Sequence, residues 1–188
     1  MKCTNCGANL KDDASYCIRC GSKINSDGIS ISNNVNKNRG VYMNILYLIN
    51  YAGKAGTEKY VLNLMHILAG QGETCHLAYN VPGQLSETVS SEGFACFRFE
   101  MSTKKALSAA KKLAGYCREN KIDVIHAQYP MENVIAILSK LFYRKVKVVY
   151  TSHLTIYQNT KWKILNRLFT PFDHRIIAVC RQGADIMV

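Results

Sequence analysis

The sequence predicts an α/β protein, in which a doubly wound, Rossmann-like parallel sheet follows a small metal-binding module. After residue 41, short apolar segments alternate with amphipathic helices. Four cysteines form two matched pairs in the first 24 residues, and a polar segment separates these two parts. Strands that alternate with helices of this length imply right-handed βαβ crossovers. With 188 residues, 48% of them hydrophobic, the chain can bury one full-sized core beside the small module.

The two cysteine pairs share one pattern, Cys3-Thr4-Asn5-Cys6-Gly7 and Cys17-Ile18-Arg19-Cys20-Gly21. Each pair supplies two thiolates from one tight turn, and two such turns complete a closed tetrahedral zinc site that stabilises a fold without catalysing a reaction. Two disulfides or a redox C-x-x-C are the alternatives, but neither explains why the pair and its glycine occur twice. This part resembles small zinc-ribbon domains. We therefore predict one structural zinc ion, bound by Cys3, Cys6, Cys17 and Cys20.

Residues 25–40 are rich in Asn, Ser and Gly and poor in residues that form a core. This composition is typical of a flexible linker. The predicted organisation is therefore a zinc ribbon over 1–24, a linker over 25–40 and an α/β domain over 41–188. The last eight residues begin what looks like another helix, so we expect the domain to be incomplete at its C-terminus.

Six strands are predicted from apolar runs, and the first of them is continuous, as in the buried centre of a parallel sheet. They cover 43–49, 74–79, 95–99, 123–127, 146–152 and 175–180.

Four helices are predicted between these strands from apolar residues three and four positions apart. The first follows Gly56, and its apolar face carries Val61, Leu64, Met65 and Leu68. The second covers 103–120, with an inner face of Ala106, Ala110, Leu113 and Cys117. The third has an apolar face of Val134, Ile137, Leu138 and Leu141, and the fourth covers 162–169.

The remaining cysteines stand singly in strand-like and helix-like stretches, which predicts buried thiols in a reducing compartment; they are Cys75, Cys96, Cys117 and Cys180. There is no apolar signal region, and no apolar run approaches the ~18 residues that span a bilayer. These features predict a cytoplasmic protein.

The formal net charge is +11, and eight basic residues between Lys140 and Arg175 are opposed only by Asp173. Such a surface attracts polyanions. Nucleic acid is disfavoured, because the first 24 residues carry little net charge and no exposed aromatic ladder for stacking bases. We expect peripheral contact with an anionic membrane at its inner face, with ordinary solvated helix faces as the alternative. The candidate anchors are Phe142, Tyr143 and Trp162.

Ligands of open α/β sheets bind beyond the carboxyl ends of the strands. After the first predicted strand, Gly56 allows a ligand to approach backbone N–H groups where a helix begins. The fourth strand ends near His126 and the fifth at His153. For either histidine taken alone, the alternative to a catalytic role is a structural role in hydrogen bonding. The glycine loop is neither G-x-G-x-x-G nor a P-loop, so dinucleotide and ATP binding lack their usual fingerprints.

Five motifs occur in an order that resembles the N-terminal half of family-4-like glycosyltransferases of the GT-B fold, and this resemblance covers the chain from about Met43 onward. One departure is Ala55, where the family usually has a second glycine beside Gly56. The motifs are 43–49 (Met-Asn-Ile-Leu-Tyr-Leu-Ile), 56–64 (Gly-Thr-Glu-Lys-Tyr-Val-Leu-Asn-Leu), 123–127 (Asp-Val-Ile-His-Ala), 151–153 (Thr-Ser-His) and 176–179 (Ile-Ile-Ala-Val).

The resemblance implies a retaining transferase that moves a sugar from a nucleotide-sugar donor to a sugar or lipid-linked acceptor, across a cleft between two Rossmann-like domains. The N-terminal domain mainly holds the acceptor. By carry-over, Gly56, Thr57 and Glu58 line the acceptor side, His126 forms the cleft floor, and His153 is catalytic, near the reacting sugar. The donor-binding C-terminal domain is missing, so we expect this isolated chain to be inactive. A non-catalytic adaptor with a zinc ribbon is the alternative.

Overall fold

The computed structural model describes residues 42–153 and 160–180, together with two short strands, Lys23–Ile24 and Ser30–Ile31. These short strands pair antiparallel, with Lys23 opposite Ile31. The pair therefore joins residues on both sides of the boundary predicted at residue 24. The four paired cysteines lie outside the described residues.

Within the described residues the main sheet has six strands, and every neighbouring pair is parallel. Its spatial order is β3-β2-β1-β4-β5-β6, so the chain starts in the middle, builds one half and then returns to build the other. The reversal lies between β1 and β4, the position where open α/β sheets bind ligands. The strands are β1 Asn44–Tyr51, β2 Thr74–Val81, β3 Ala95–Arg98, β4 Val124–Ala127, β5 Lys147–Ser152 and β6 Arg175–Ala178.

Helices cover both faces of this sheet. On one face, Tyr47 of β1 packs in a cluster with Val61 and Met65 of α1 (Gly56–Gly70) and with Leu85 of α2 (Gln84–Ser91). The other face carries α3 (Ala106–Glu119), α4 (Pro130–Ser139) and α5 (Thr160–Phe169). Because alternate β1 side chains point to opposite faces, its buried core run needs apolar residues at every position. The predicted fold class, a doubly wound parallel sheet, is confirmed.

Helix α2 was not predicted from the sequence. It is mostly polar and exposed, and its buried residues are Leu85, Ser86 and Val89. Ser86 holds its first turn, because its Oγ accepts a hydrogen bond from the Gly83 N–H at 3.0 Å and donates one to the Gly83 carbonyl at 2.7 Å. The Leu85 N–H bonds to the carbonyls of Ala52 and Gly53. Helix α2 therefore holds the loop that follows β1.

Leu141 and two of the four single cysteines differ from the sequence prediction. Helix α4 ends at Ser139, so Leu141 lies beyond it and is exposed. Cys75 and Cys117 are buried, as predicted, and burial raises the pKa of each thiol to about 12. In contrast, Cys96 is half-buried, because β3 is an edge strand and is less covered than the centre of the sheet. Cys180 is exposed and lies two residues beyond the end of β6. In the described part of the chain, no helix is long and apolar enough to cross a membrane.

Candidate functional site

The candidate site lies where β1, β4 and β5 end, at the carboxyl edge of the sheet beside the topological switch. The residues that follow these three adjacent strands lie at the same edge, because the strands are parallel. The structure places all five candidate residues of the α/β domain here, at the start of α1 and at the ends of β4 and β5. They are Gly56, Thr57, Glu58, His126 and His153.

A hydrogen-bond chain sets the tautomer of His153. The Gln128 side-chain N–H donates to the His126 carbonyl at 3.1 Å, which turns the Gln128 Oε1 toward His153. This Oε1 lies 2.9 Å from the His153 Nε2, so Nε2 carries the proton and donates. In the neutral ring Nδ1 is then an acceptor. Among the described residues, Nδ1 has no partner.

Two tyrosine rings flank His153. The Tyr60 ring meets it edge-on with 5.1 Å between centroids, and the Tyr129 ring is tilted at 5.9 Å. Partial burial lowers the pKa of His153, while the negative charge of Glu58 opposes this change. The lowered pKa favours a neutral ring at pH 7, which matches the role of an acceptor at Nδ1.

His126 is more deeply buried than His153 and is only 7% exposed. Its Nε2 is 2.6 Å from the Thr151 Oγ1, in a hydrogen bond between β4 and β5. The Tyr47 ring packs against it at 5.4 Å. Burial lowers the pKa of His126 to about 4, and repulsion from the protonated form of His153 adds to this change. The ring is therefore neutral and held in place, and any contact with a ligand stays a prediction.

The first turn of α1 contributes the other candidate residues. The Tyr129 hydroxyl donates to the Thr57 Oγ1 at 2.8 Å, which joins the end of β4 to this turn. Glu58 is buried, and its Oε2 has no partner among the described residues. Gly56 is exposed, and a Cβ added there would meet open space. The turn thus holds a buried, unpartnered acidic oxygen next to an exposed glycine at the start of α1.

Glu132 fastens the end of β1 to the start of α4. Its Oε1 accepts a 2.7 Å hydrogen bond from the Asn50 N–H, across 82 residues of sequence. Asn80, at the end of β2, donates to the Asn50 side-chain carbonyl at 2.9 Å and to the Met101 carbonyl at 3.3 Å. Burial raises the pKa of Glu132 to about 7. These contacts fix the strand end from which the loop to Gly56 departs.

Beneath α4, a second group of polar side chains is buried. Asn133 donates to the Asp173 Oδ2 at 2.9 Å, while the Tyr150 hydroxyl has no hydrogen-bond partner among the described residues. Burial raises the pKa of Asp173 to about 6 and that of Tyr150 to about 12. Within residues 42–153 and 160–180, no three His, Cys, Asp or Glu side chains are grouped as metal ligands.

Sequence reasoning did not identify four residues that shape the site, namely Tyr60, Gln128, Tyr129 and Glu132. A local signal was available for one of them. Pro130 is the first residue of α4 and Glu132 lies in its first turn, a combination typical of a helix N-terminus. Tyr60, Gln128 and Tyr129 act through partners on other elements, so their roles depend on the tertiary structure.

Solved structures share this fold at low sequence identity. A glycosyltransferase from Rickettsia africae is 18% identical, with a TM-score of 0.61 over 73% of this chain and 37% of its own. HepE from Anabaena, solved with UDP and glucose, is 15% identical, with a TM-score of 0.64 over 78% of this chain and 40% of its own. MurG from Acinetobacter baumannii is 10% identical, with a TM-score of 0.54 over 72% of this chain and 41% of its own.

This chain therefore spans about 40% of the length of these solved proteins. The sequence has no match among curated proteins. Residues 2–24 match the zinc-ribbon domain, as the cysteine pattern predicted. Residues 55–188 match the model of Glycosyltransferase Family 4, and because this match covers most of the chain, the protein belongs to glycosyltransferase family 4.

Proposed function

We propose that this chain is the acceptor-side part of a retaining glycosyltransferase, which transfers a sugar from a nucleotide-sugar donor to a sugar or lipid-linked acceptor. The family match supports a sugar transferase. The observation that carries the proposal is the arrangement around His153. Its half-buried, neutral imidazole donates from Nε2 to Gln128. Its Nδ1 is therefore left to accept a hydrogen bond from a ligand. A hydrogen-bond acceptor beside an acidic oxygen suits a polyhydroxylated ligand.

In this proposal His153 accepts a hydrogen bond from a sugar hydroxyl through Nδ1. The aromatic edges around the ring exclude water and keep its orientation, so the contact requires no reorganisation during transfer. Glu58 accepts from acceptor hydroxyls through its unpartnered Oε2. His126 forms the floor, and through Thr151 it holds the β5 end from which His153 extends. Gly56 and Thr57 complete the acceptor side.

The donor is bound by a second domain in this proposal. Transfer requires donor and acceptor to be held together in reacting geometry, and one wall of a cleft supplies only one of them. The chain covers about 40% of the solved proteins that share its fold, and one of these was solved with UDP and glucose. We therefore propose a nucleotide-sugar donor, and we expect no transfer by this chain without a donor-binding domain.

The proposal is tested by measuring nucleoside diphosphate release from UDP-, GDP- and ADP-sugars in the presence of mono- and disaccharide and lipid-linked acceptors. Two proteins are compared, this chain and its fusion to the donor-binding half of a family-4 glycosyltransferase. Acceptor-dependent release by the fusion alone is the expected result. Full turnover by this chain alone would overturn the division of roles. If the fusion binds UDP but neither binds acceptors nor transfers sugar, the adaptor alternative is favoured.

Glu58→Gln is expected to raise the acceptor KM of the completed enzyme about tenfold with little change in kcat. A hydrogen bond to a charged group contributes roughly 1.5–3 kcal/mol, and the amide loses the charge but keeps the shape. Steady-state kinetics at varied acceptor concentration measure both constants. Glu87→Gln, an exposed change on α2, is the matched control. An unchanged KM would place the acceptor elsewhere.

The zinc ribbon is expected to bind about one equivalent of zinc per chain through Cys3, Cys6, Cys17 and Cys20, because four thiolates at this spacing close a tetrahedral shell. Metal analysis of the purified protein measures this directly. Cys17→Ser should abolish stoichiometric zinc binding, whereas Cys96→Ser, in a half-buried strand position, should retain it. A metal-free protein with two N-terminal disulfides would contradict the prediction.

A further inference from the structure

A group of large apolar side chains is exposed on and around α5. Ile164 and Leu168 are 56% and 60% exposed, and Phe172 is 61% exposed. Leu141 is 68% exposed, and beside it Phe142 is 36% exposed. We call these five residues the α5 patch. Contiguous exposed apolar surface of this kind marks an interaction site more often than scattered apolar residues do.

These five residues lie on neighbouring elements. Ile164 and Leu168 are four residues apart on α5, which places them one above the other on its outer side. Phe172 follows four residues later, in the 3-10 turn that continues the helix. The Lys140 Nζ donates to the Phe172 carbonyl at 3.1 Å, which brings the turn of Leu141 and Phe142 beside it. The inner side of α5 is already occupied, since Phe169 packs against the core.

Basic side chains border the α5 patch. Arg144 and Lys145 follow it in sequence and are exposed, and Arg167 lies between Ile164 and Leu168 on α5 and is also exposed. None of these three forms an ion pair within the described part of the chain. The acid of this region, Asp173, is half-buried and hydrogen-bonded to Asn133. The positive charge here is therefore uncompensated and available to an anion.

We infer that the α5 patch docks on an anionic lipid surface. Its aliphatic and aromatic side chains enter the boundary between headgroups and acyl chains, and Arg144, Lys145 and Arg167 contact lipid phosphates. Amphipathic surfaces bind membranes by this combination of buried apolar area and electrostatic attraction. Nucleic acid would satisfy the charges alone, because exposed Leu and Ile side chains do not stack on bases.

The structure refines the anchors that the sequence predicted. Phe142 is exposed and belongs to the patch, but Tyr143 is half-buried and packs against the core, so it does not reach a membrane. The side chain of Trp162 lies outside the described residues. The aliphatic members, Leu141, Ile164 and Leu168, were not predicted, since helical spacing alone does not say which face of α5 the core covers.

The α5 patch is separate from the candidate site. Helix α4 begins at the carboxyl edge, where Pro130 follows β4, and ends at the opposite edge, where Leu141 and Phe142 precede β5. The partners of His153 within the described residues are Gln128, Tyr60 and Tyr129, and none of the five patch residues is among them, so substitutions in the patch leave these contacts in place. Lipid binding and sugar transfer can fail independently of each other.

The experiment measures co-sedimentation of the protein with vesicles of phosphatidylcholine alone and of phosphatidylcholine mixed with phosphatidylglycerol, at low and high salt. Binding is expected only to the mixed vesicles and is expected to weaken with salt, which screens exposed charges. Each basic residue removed should weaken binding about fivefold. The triple variant Arg144→Gln, Lys145→Gln, Arg167→Gln should therefore bind about a hundredfold more weakly. Ile164→Ser with Leu168→Ser should also reduce binding at unchanged charge.

Matched controls are available elsewhere in the chain. Lys54→Gln with Lys59→Gln removes exposed charges on the other side of the sheet, and Leu107→Ser removes an exposed leucine of α3. Both controls should bind like the unsubstituted protein. Equal binding by the patch variants and the controls, or equal binding to uncharged vesicles, overturns the proposal. If the apolar variant changes only the oligomeric state, measured by light scattering, the patch joins copies of the chain and lipid docking is wrong.

Discussion

His153→Ala is expected to lower the kcat of the completed enzyme about a hundredfold while the acceptor KM changes only a few-fold. Removing one preorganised hydrogen-bonding group from a site that stabilises developing charge costs about 10²–10³ in kcat. The proposed Nδ1 contact strengthens as the bond between sugar and phosphate breaks, so its loss appears in the transition state more than in binding. Steady-state kinetics with both substrates varied separate the two constants.

Two further variants distinguish this role from a structural one. His174→Ala removes an exposed histidine that precedes β6, at the amino end of that strand and away from the carboxyl edge, and should leave kcat unchanged. Gln128→Leu keeps the imidazole but removes the carbonyl oxygen that accepts the hydrogen bond from its Nε2–H, so it should lower kcat by a smaller factor than His153→Ala. An enzyme whose kcat is unaffected by His153→Ala would show that the site is misplaced.

Much of the fold was predictable because its strands are short apolar runs in a parallel sheet. The apolar side chains of β1 are continuous in sequence, so they leave water only if both faces of the strand are buried, and the structure buries both. Helix α2 was missed for the opposite reason. It presents only two large apolar side chains to the sheet, Leu85 and Val89. They are four residues apart, as on one helix face, but a single such pair in an eight-residue polar segment is too short a pattern to predict a helix. Its stability depends on contacts with the loop after β1.

The candidate site was predictable only in outline. Parallel strands end at one edge, so residues after β1, β4 and β5 had to lie near one another. The residues that orient these site residues through hydrogen bonds could not be predicted from the order of the strands along the chain. Tyr129 reaches Thr57 across 72 residues and Glu132 reaches Asn50 across 82, and such pairs depend on which strands are neighbours. The tautomer of His153 likewise depends on Gln128, a residue whose chemistry alone gives no signal.

Glu132→Gln is expected to change how stability depends on pH. Burial raises the pKa of the folded Glu132 to about 7 from 4.5. Below pH 4.5 the carboxyl group is protonated in both states and costs nothing, whereas above pH 7 it is charged in both and the folded state bears the cost of burying that charge. Stability from this group is therefore lost as pH rises through 7, by roughly 3 kcal/mol in total. Glutamine does not titrate, and its carbonyl still accepts from the Asn50 N–H.

Urea unfolding of both proteins at pH 5 and pH 8 measures the effect as a difference. The glutamine variant should gain about 2.5 kcal/mol relative to the unsubstituted protein between the two pH values, because part of the total effect is already present at pH 5. Asp173, with its pKa raised to about 6, and His126, with its pKa lowered to about 4, titrate in both proteins, so their contributions largely cancel. Glu87→Gln on the surface of α2 should show no such change. If Glu132→Gln changes stability equally at both pH values, the carboxyl group ionises normally, and the link between β1 and α4 is an ordinary exposed hydrogen bond.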